Sequence, residues 1–204
     1  MQRGYALHGE ATSHLKTVVG KVQDEDLVQS IARGDKGAMR ALYARHSMRV
    51  YRFIVRLTGN ASLSEDVLSE VFLYVWRRAE AFEAKSKVST WLLAIARYKA
   101  ISALRRRCDE PLDDARAATV EDPADNPETA VHAEQRSALI RRCLTQLSPA
   151  HRQVIDLVYY HEKSVEEVAQ VVGIPASTVK TRMFYARARM AELLAKAGAD
   201  RAWL

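Results

Sequence analysis

The most concentrated side-chain chemistry in this 204-residue chain lies between positions 177 and 187, where Ser177, Thr178, Lys180, Thr181, Phe184, Tyr185 and Arg187 fall within three turns of a helix. None of these residues is a nucleophile with a general base beside it. What they offer is recognition. Lysine and arginine meet phosphates or guanine edges, hydroxyls bond phosphates or bases, and a phenyl ring covers a thymine methyl or a sugar. A second set lies at 85–107: a polar loop of Lys85, Ser86, Lys87, Ser89 and Thr90 leads into Trp91, Arg97, Tyr98, Lys99 and Arg105 to Arg107. Cations interleaved with hydroxyls and aromatics suit a single nucleic-acid strand, whose bases stack and whose backbone follows positive charge. Trp91 also reads as a core residue, and the terminal arginines also complement a helix dipole. A third set, Asp66, Glu70, Leu73 and Trp76, sits in SEDVLSEVFLYVWRR, a segment apolar nearly all round. Such a helix is either deeply buried or meets a partner.

The elements that must position these groups are helices. In SVEEVAQVVGIPASTVKTRMFYARARM, Ser164 and Glu167 have capping-box spacing, and Val165, Val168, Ala169 and Val172 form one apolar face. Gly173 then suits a left-handed helix end, and Pro175 cannot continue that helix. The next helix starts near Ser177, with Val179, Met183, Ala186 and Met190 inward and the polar and aromatic set outward. This is a helix-turn-helix, with its second helix placed for a DNA major groove. Upstream, Leu27, Val28 and Ile31 mark a short helix. Met39, Leu42, Tyr43, Val50, Tyr51, Ile54, Val55 and Leu57 mark a run of inward positions ending at Gly59. Ser62 or Ser64 is expected to cap the helix whose rows are Val67, Val71, Val75 and Leu68, Phe72, Trp76. A further helix restarts at Ser89. Ser148-Pro149 supplies a cap followed by proline at the first helical position.

The fold class expected is all-α, two small helical domains joined by an acidic flexible linker, the second domain holding the helix-turn-helix. The boundaries expected are a 1–23 extension, a domain over 24–107, a linker over 108–135, a domain over 136–196 and a 197–204 tail. Between 109 and 134 nine carboxylates face only Arg116, and Pro111, Pro123 and Pro127 interrupt the chain. That stretch contributes −8, so the rest of the chain carries +14 although the whole carries +6. The folded parts are therefore strongly basic, which suits an anionic partner.

Two cysteines, Cys108 and Cys143, make neither a metal signature nor a disulfide framework, and Cys143 shares an apolar face with Ile140, Leu144 and Leu147. No apolar run approaches the roughly 18 residues of a membrane span, so no membrane insertion and a cytoplasmic location are expected. No catalytic constellation, metal site or cofactor-binding loop is apparent; His46, His151 and His161 have no evident partner.

Taken together and in this order, SEDVLSEVFLYVW, STWLLAIARYKAISALRRR and SVEEVAQVVGIPASTVKTRMFYAR resemble an extracytoplasmic-function sigma factor, a two-domain bacterial transcription initiation factor. The resemblance covers 24–107 (region 2) and 136–195 (region 4). Ser69 stands where the family often has glutamine, and Tyr98 where it often has asparagine. The resemblance implies that Asp66, Glu70 and their neighbours dock on core RNA polymerase. It implies that the 85–91 loop and the following helix capture the −10 element as it melts, and that the 177–187 set reads the −35 duplex of promoter DNA. It further implies an anti-sigma factor, expected to wedge between domains whose DNA faces are exposed. The alternative is a free-standing helix-turn-helix regulator, which would leave the first domain idle.

Overall fold

The computed structural model describes residues 22–109 and 130–198, with side chains described over 22–107 and 136–198. Residues 1–21, 110–129 and 199–204, which hold most of the expected extension, linker and tail, and the side chain of Cys108 lie outside the described residues, while 130–135, expected as the end of the linker, is the start of a helix. Within them every regular element is helical: α1 (Asp24–Ala32), α2 (Lys36–Thr58), α3 (Ala61–Arg78), a short 3-10 turn (Ala79–Ala81), α4 (Val88–Asp109), α5 (Ala130–Thr145), α6 (Pro149–Tyr159), α7 (Val165–Val172) and α8 (Ala176–Lys196).

Helices α1 to α4 form one bundle. Leu27, Val28 and Ile31 of α1, Leu42, Val50, Phe53 and Ile54 of α2, Val67, Val71 and Val75 of α3, and Leu92, Leu93 and Ala96 of α4 are buried together. The 36–58 run is one unbroken helix, started by the Asp35 carboxylate, which accepts from the Gly37 and Ala38 N–H groups. It ends at Gly59, whose φ of 66° needs no Cβ to be accommodated. Two expectations are corrected here. Tyr43 is exposed and packs edge-on against Phe72, with ring centroids 4.7 Å apart, while Phe53 holds the central position. The cap of α3 is Asn60, whose side chain accepts from the Leu63 N–H. Ser64 is instead buried inside the first turn, donating to the Asn60 carbonyl at 2.6 Å and lying 2.8 Å from the Thr58 hydroxyl.

Helices α5 to α8 form the second unit. The Ser148 hydroxyl accepts from the His151 N–H, and Pro149 follows at the first helical position. Cys143 is buried with Leu147, Val154, Leu157, Val179 and Leu193. Each of α5, α6 and α7 packs on α8.

Candidate nucleic-acid interface

The helix-turn-helix is built from local signals that all agree. Ser164 accepts from the Glu167 N–H while the Glu167 carboxylate accepts from the Ser164 N–H, so two otherwise orphaned donors are satisfied at the start of α7. Its far end is Gly173, at φ 72°, and Pro175 then leads into α8. Val168, Val171 and Val172 of α7 face Val179, Met183 and Ala186 of α8 across the turn, all buried. That packing fixes which side of α8 faces out. Ser177, Lys180, Thr181, Phe184, Tyr185 and Arg187 are exposed, with Thr178 half-buried at the edge. Phe184 and Tyr185 meet edge to face at 5.4 Å, and Phe184 keeps 69% of its surface in solvent. The Arg187 Nε donates to the Tyr159 hydroxyl at 3.0 Å, which steers its guanidinium along the same face.

The second set occupies the loop after the 3-10 turn and the start of α4. Lys85 is exposed and ion-paired with Glu83, a contact that raises the lysine and lowers the glutamate. Trp91 is half-buried, its ring 5.1 Å from that of Phe82, so it serves the core while keeping an accessible edge. Ser86 is half-buried, Lys87 exposed, and Lys99 half-buried.

Thr90 is buried and Ser89 and Arg97 are half-buried, because α4 packs against α7 and α2 against α6. Lys163 donates to the Ser89 hydroxyl at 2.6 Å and to the Thr90 hydroxyl at 3.0 Å; Thr90 in turn donates to Glu167 at 2.9 Å. Lys87 lies 3.7 Å from the same carboxylate. Burial lowers the Lys163 pKa, partly countered by Glu167. Burial would raise Glu167, but hydrogen bonds from Ser164 and Thr90 and the charges of Lys163 and Lys87 outweigh it and hold the carboxyl below its ordinary range. Arg97 donates to Gln153 at 3.3 Å, and its pKa is lowered by burial and by the like charge of Arg182. Across α2 and α6, Arg56 donates to Asp156 at 2.7 Å and stands 4.2 Å from the centre of the Tyr160 ring. The His161 ring packs edge-on against Phe53 at 5.3 Å, with Nε2 3.4 Å from Asp156 and neither ring nitrogen in a well-formed hydrogen bond. Of the two faces expected to meet DNA, the one on α8 is exposed and the one at the start of α4 is largely covered.

In the third set, Asp66 and Leu73 are exposed on α3 and Trp76 is half-buried. Glu70 is half-buried and paired with Lys99 at 3.1 Å and Arg106 at 3.5 Å, so it ties α3 to α4. Lys163, Glu167 and Gln153 are engaged residues that sequence reasoning missed as a group. Their partners in the first domain lie more than 50 positions away, beyond the reach of any local signal. His46 likewise has a partner, its Nε2 2.7 Å from Asp24. Among the described residues no cluster of histidine, cysteine and carboxylates could hold a metal, and no helix is long and apolar enough to cross a membrane.

Comparison with known proteins agrees with this arrangement. Residues 42–108 match the Sigma-70 region 2 family, and residues 137–190 match Sigma-70 region 4. The ECF RNA polymerase sigma factor SigL of Mycobacterium tuberculosis is 34% identical over 167 residues, covering 78% of this chain and 90% of SigL. SigW of Bacillus subtilis is 30% identical over 169 residues, with the same coverage. Among solved structures, the sigma factor RpoE of Bartonella quintana, crystallised with the anti-sigma factor NepR, is 26% identical. It superposes with a TM-score of 0.59 over 74% of this chain and 93% of that one. CnrH, solved with the cytosolic domain of CnrY, shares the fold at 23% identity with a TM-score of 0.63, covering 85% of this chain and 97% of CnrH. The chain belongs to the extracytoplasmic-function (ECF) RNA polymerase sigma factors and is an alternative sigma factor that directs transcription initiation.

Proposed function

We propose a division of labour between the two helical domains, taken as 24–107 and 136–196. In this reading α8 holds the −35 duplex through Ser177, Thr178, Lys180, Thr181, Phe184, Tyr185 and Arg187. The observation that carries it is the outward face of α8: aromatics and cations left in solvent on a helix whose other side is fully packed. Folding gives no reason to expose Phe184 there, whereas a thymine methyl or a sugar does. Lys85, Ser86, Lys87, Ser89, Thr90, Trp91, Arg97 and Lys99 hold the −10 strand once it opens. Flipping a base out of the stack costs a few kcal/mol, which pocket contacts and polymerase must offset together. Asp66, Glu70, Leu73 and Trp76 meet core polymerase, with Glu70 exchanging its internal partners for the docked ones. The chain works where polymerase works, in the cytoplasm, and supplies specificity without chemistry of its own.

An anti-sigma factor is part of the proposal, supported by the RpoE–NepR pair. Because α4 packs directly on α7, such a partner must displace that contact or bind outside it. The relatives named above are sigma factors, which leaves the free-standing regulator without support. The test is promoter selection from a random library with reconstituted polymerase. Wild-type chain should enrich a two-part element, Lys180→Ala with Phe184→Ala should lose its upstream half, and failure to enrich any element contradicts the reading.

A further inference from the structure

Several arginines of this chain are held by carboxylates: Arg45 by Asp24 and Arg56 by Asp156, both at 2.7 Å, and Arg189 by Glu192 at 2.8 Å. Such a pair neutralises the cation inside the molecule. Arg187 is held differently. Its Nε donates at 3.0 Å to the Tyr159 hydroxyl, and its guanidinium carbon stands 5.7 Å from the centre of the Tyr159 ring. Among the described residues no carboxylate pairs with it. A neutral anchor of this kind fixes the side chain and leaves its whole charge for a group outside the protein. The guanidinium carries five N–H donors in a rigid fork. One is engaged by the phenol, and the four on the terminal nitrogens remain for a bidentate acceptor. The Tyr159 oxygen is the acceptor in this bond, so its own hydrogen is also left to donate.

Tyr159 has no place in the core. It closes α6 with 56% of its surface in solvent, whereas Asp156 and Leu157 just before it are buried. The next residue, Tyr160, turns its ring to Arg56 of the first domain, and Tyr159 turns to α8. Lys180, Phe184 and Arg187 follow one another at helical spacing, so the pair borders the exposed strip that holds Phe184. In a helix-turn-helix, base edges are met by residues near the start of the second helix. Arg187 lies two turns beyond Lys180 and beside α6, where the sugar-phosphate backbone would pass. Resting on the reading of α8 as the duplex-facing helix, we propose that Tyr159 and Arg187 form a phosphate clamp at the edge of that duplex. Arg187 binds one backbone phosphate, and Tyr159 is the positioning residue that aims its fork. The clamp extends the DNA surface from α8 onto α6 and gives Arg187 a role independent of sequence.

The test is anisotropy of the full chain on two fluorescein-labelled duplexes, one carrying the library-selected upstream element and one the same bases shuffled, across about 50–200 mM salt. Tyr159→Phe keeps the ring and removes the hydroxyl; it should weaken both duplexes alike, by about fivefold. Arg187→Ala should also weaken both alike and flatten the slope of log affinity against log salt by about one. In the Arg187→Ala background, Tyr159→Phe should change nothing further. Melting temperatures should stay close to wild type throughout. If Tyr159→Phe lowers the melting temperature and leaves duplex affinity alone, the tyrosine only braces α6 on α8 and the clamp is wrong. If Arg187→Ala weakens the selected duplex alone, the arginine reads a base and the phosphate assignment fails. If Tyr159→Phe weakens binding equally with and without Arg187, it does not act through that side chain. If Lys180→Ala with Phe184→Ala weakens binding and neither clamp variant does, the clamp fails and the reading of α8 stands. If the wild-type chain binds neither duplex, that reading fails and the clamp with it.

Discussion

The two faces proposed to meet DNA are presented in opposite ways. On α8, Ser177, Lys180, Thr181, Phe184, Tyr185 and Arg187 stand in solvent, held there by the packing of Val179, Met183 and Ala186 behind them. At the start of α4, Ser89 and Thr90 are already engaged by Lys163 and Glu167 of the other domain. Both faces are made of hydroxyls, cations and aromatics, so composition does not separate them. What separates them is their neighbours. Under the proposed assignment a duplex would meet a helix face that is already free, whereas a melted strand would meet hydroxyls that already have partners.

Four substitutions probe this contrast. The largest effect is expected from Phe53→Ala, which empties a fully buried site in the first domain and removes the ring beneath His161. Large aromatic deletions in cores cost about 3–5 kcal/mol. Denaturant unfolding should show that loss in the first domain, with duplex binding by α8 retained. Next, Lys180→Ala should lower discrimination at one −35 position by about 1–3 kcal/mol if the lysine reads a base. If it meets a phosphate, all sequences should weaken alike and the salt dependence should flatten. Competition binding across salt concentrations decides between these. Gly173→Ala places a Cβ at φ 72°, where no neighbouring atom obstructs it, so the cost is backbone strain of about 1–2 kcal/mol. It should appear as a lower melting temperature and weaker duplex binding, with Lys87 and Arg97 unaffected.

The smallest effect is expected from Glu167→Gln, about 0.3–1 kcal/mol for the charge at the start of α7, together with some expansion of the chain. Its pH dependence has a definite sign. The Glu167 carboxyl titrates below its ordinary 4.5 in the folded chain. The stability it contributes is therefore complete above the unfolded value and lost as pH falls through the lower folded value. Melting curves of wild type and Glu167→Gln should differ at pH 7 and converge as the pH drops below about 4.5.

The local signals in the sequence specified the second domain closely. Ser164 with Glu167, Gly173, and Ser148-Pro149 each satisfy backbone groups within a few residues, so their meaning does not depend on the rest of the chain. The first domain was legible as a helical bundle but not in its particulars. Ser62 and Ser64 are competent caps that lost to Asn60, because the chain leaves α2 at Gly59 and the amide is then the side chain in reach of Leu63. Tyr43 has the spacing of a core residue and lies at the rim, because Phe72 offers it a ring edge there. The interdomain contact was not legible at all. Lys163 meets residues 74 and 73 positions earlier, and no periodicity or cap encodes such a pairing. The acidic stretch between the domains was the strongest compositional signal, and it pointed to two separable units rather than to how they meet.

Permanganate footprinting of opened thymines on a library-selected promoter, with reconstituted holoenzyme, tests the division of labour most directly. The Lys87→Ala, Arg97→Ala double variant should still protect the −35 duplex and leave the −10 thymines unreactive. The Lys180→Ala, Phe184→Ala double variant should lose both signals. If the first variant opens the −10 region as wild type does, the account of α4 as the strand-capture element is contradicted.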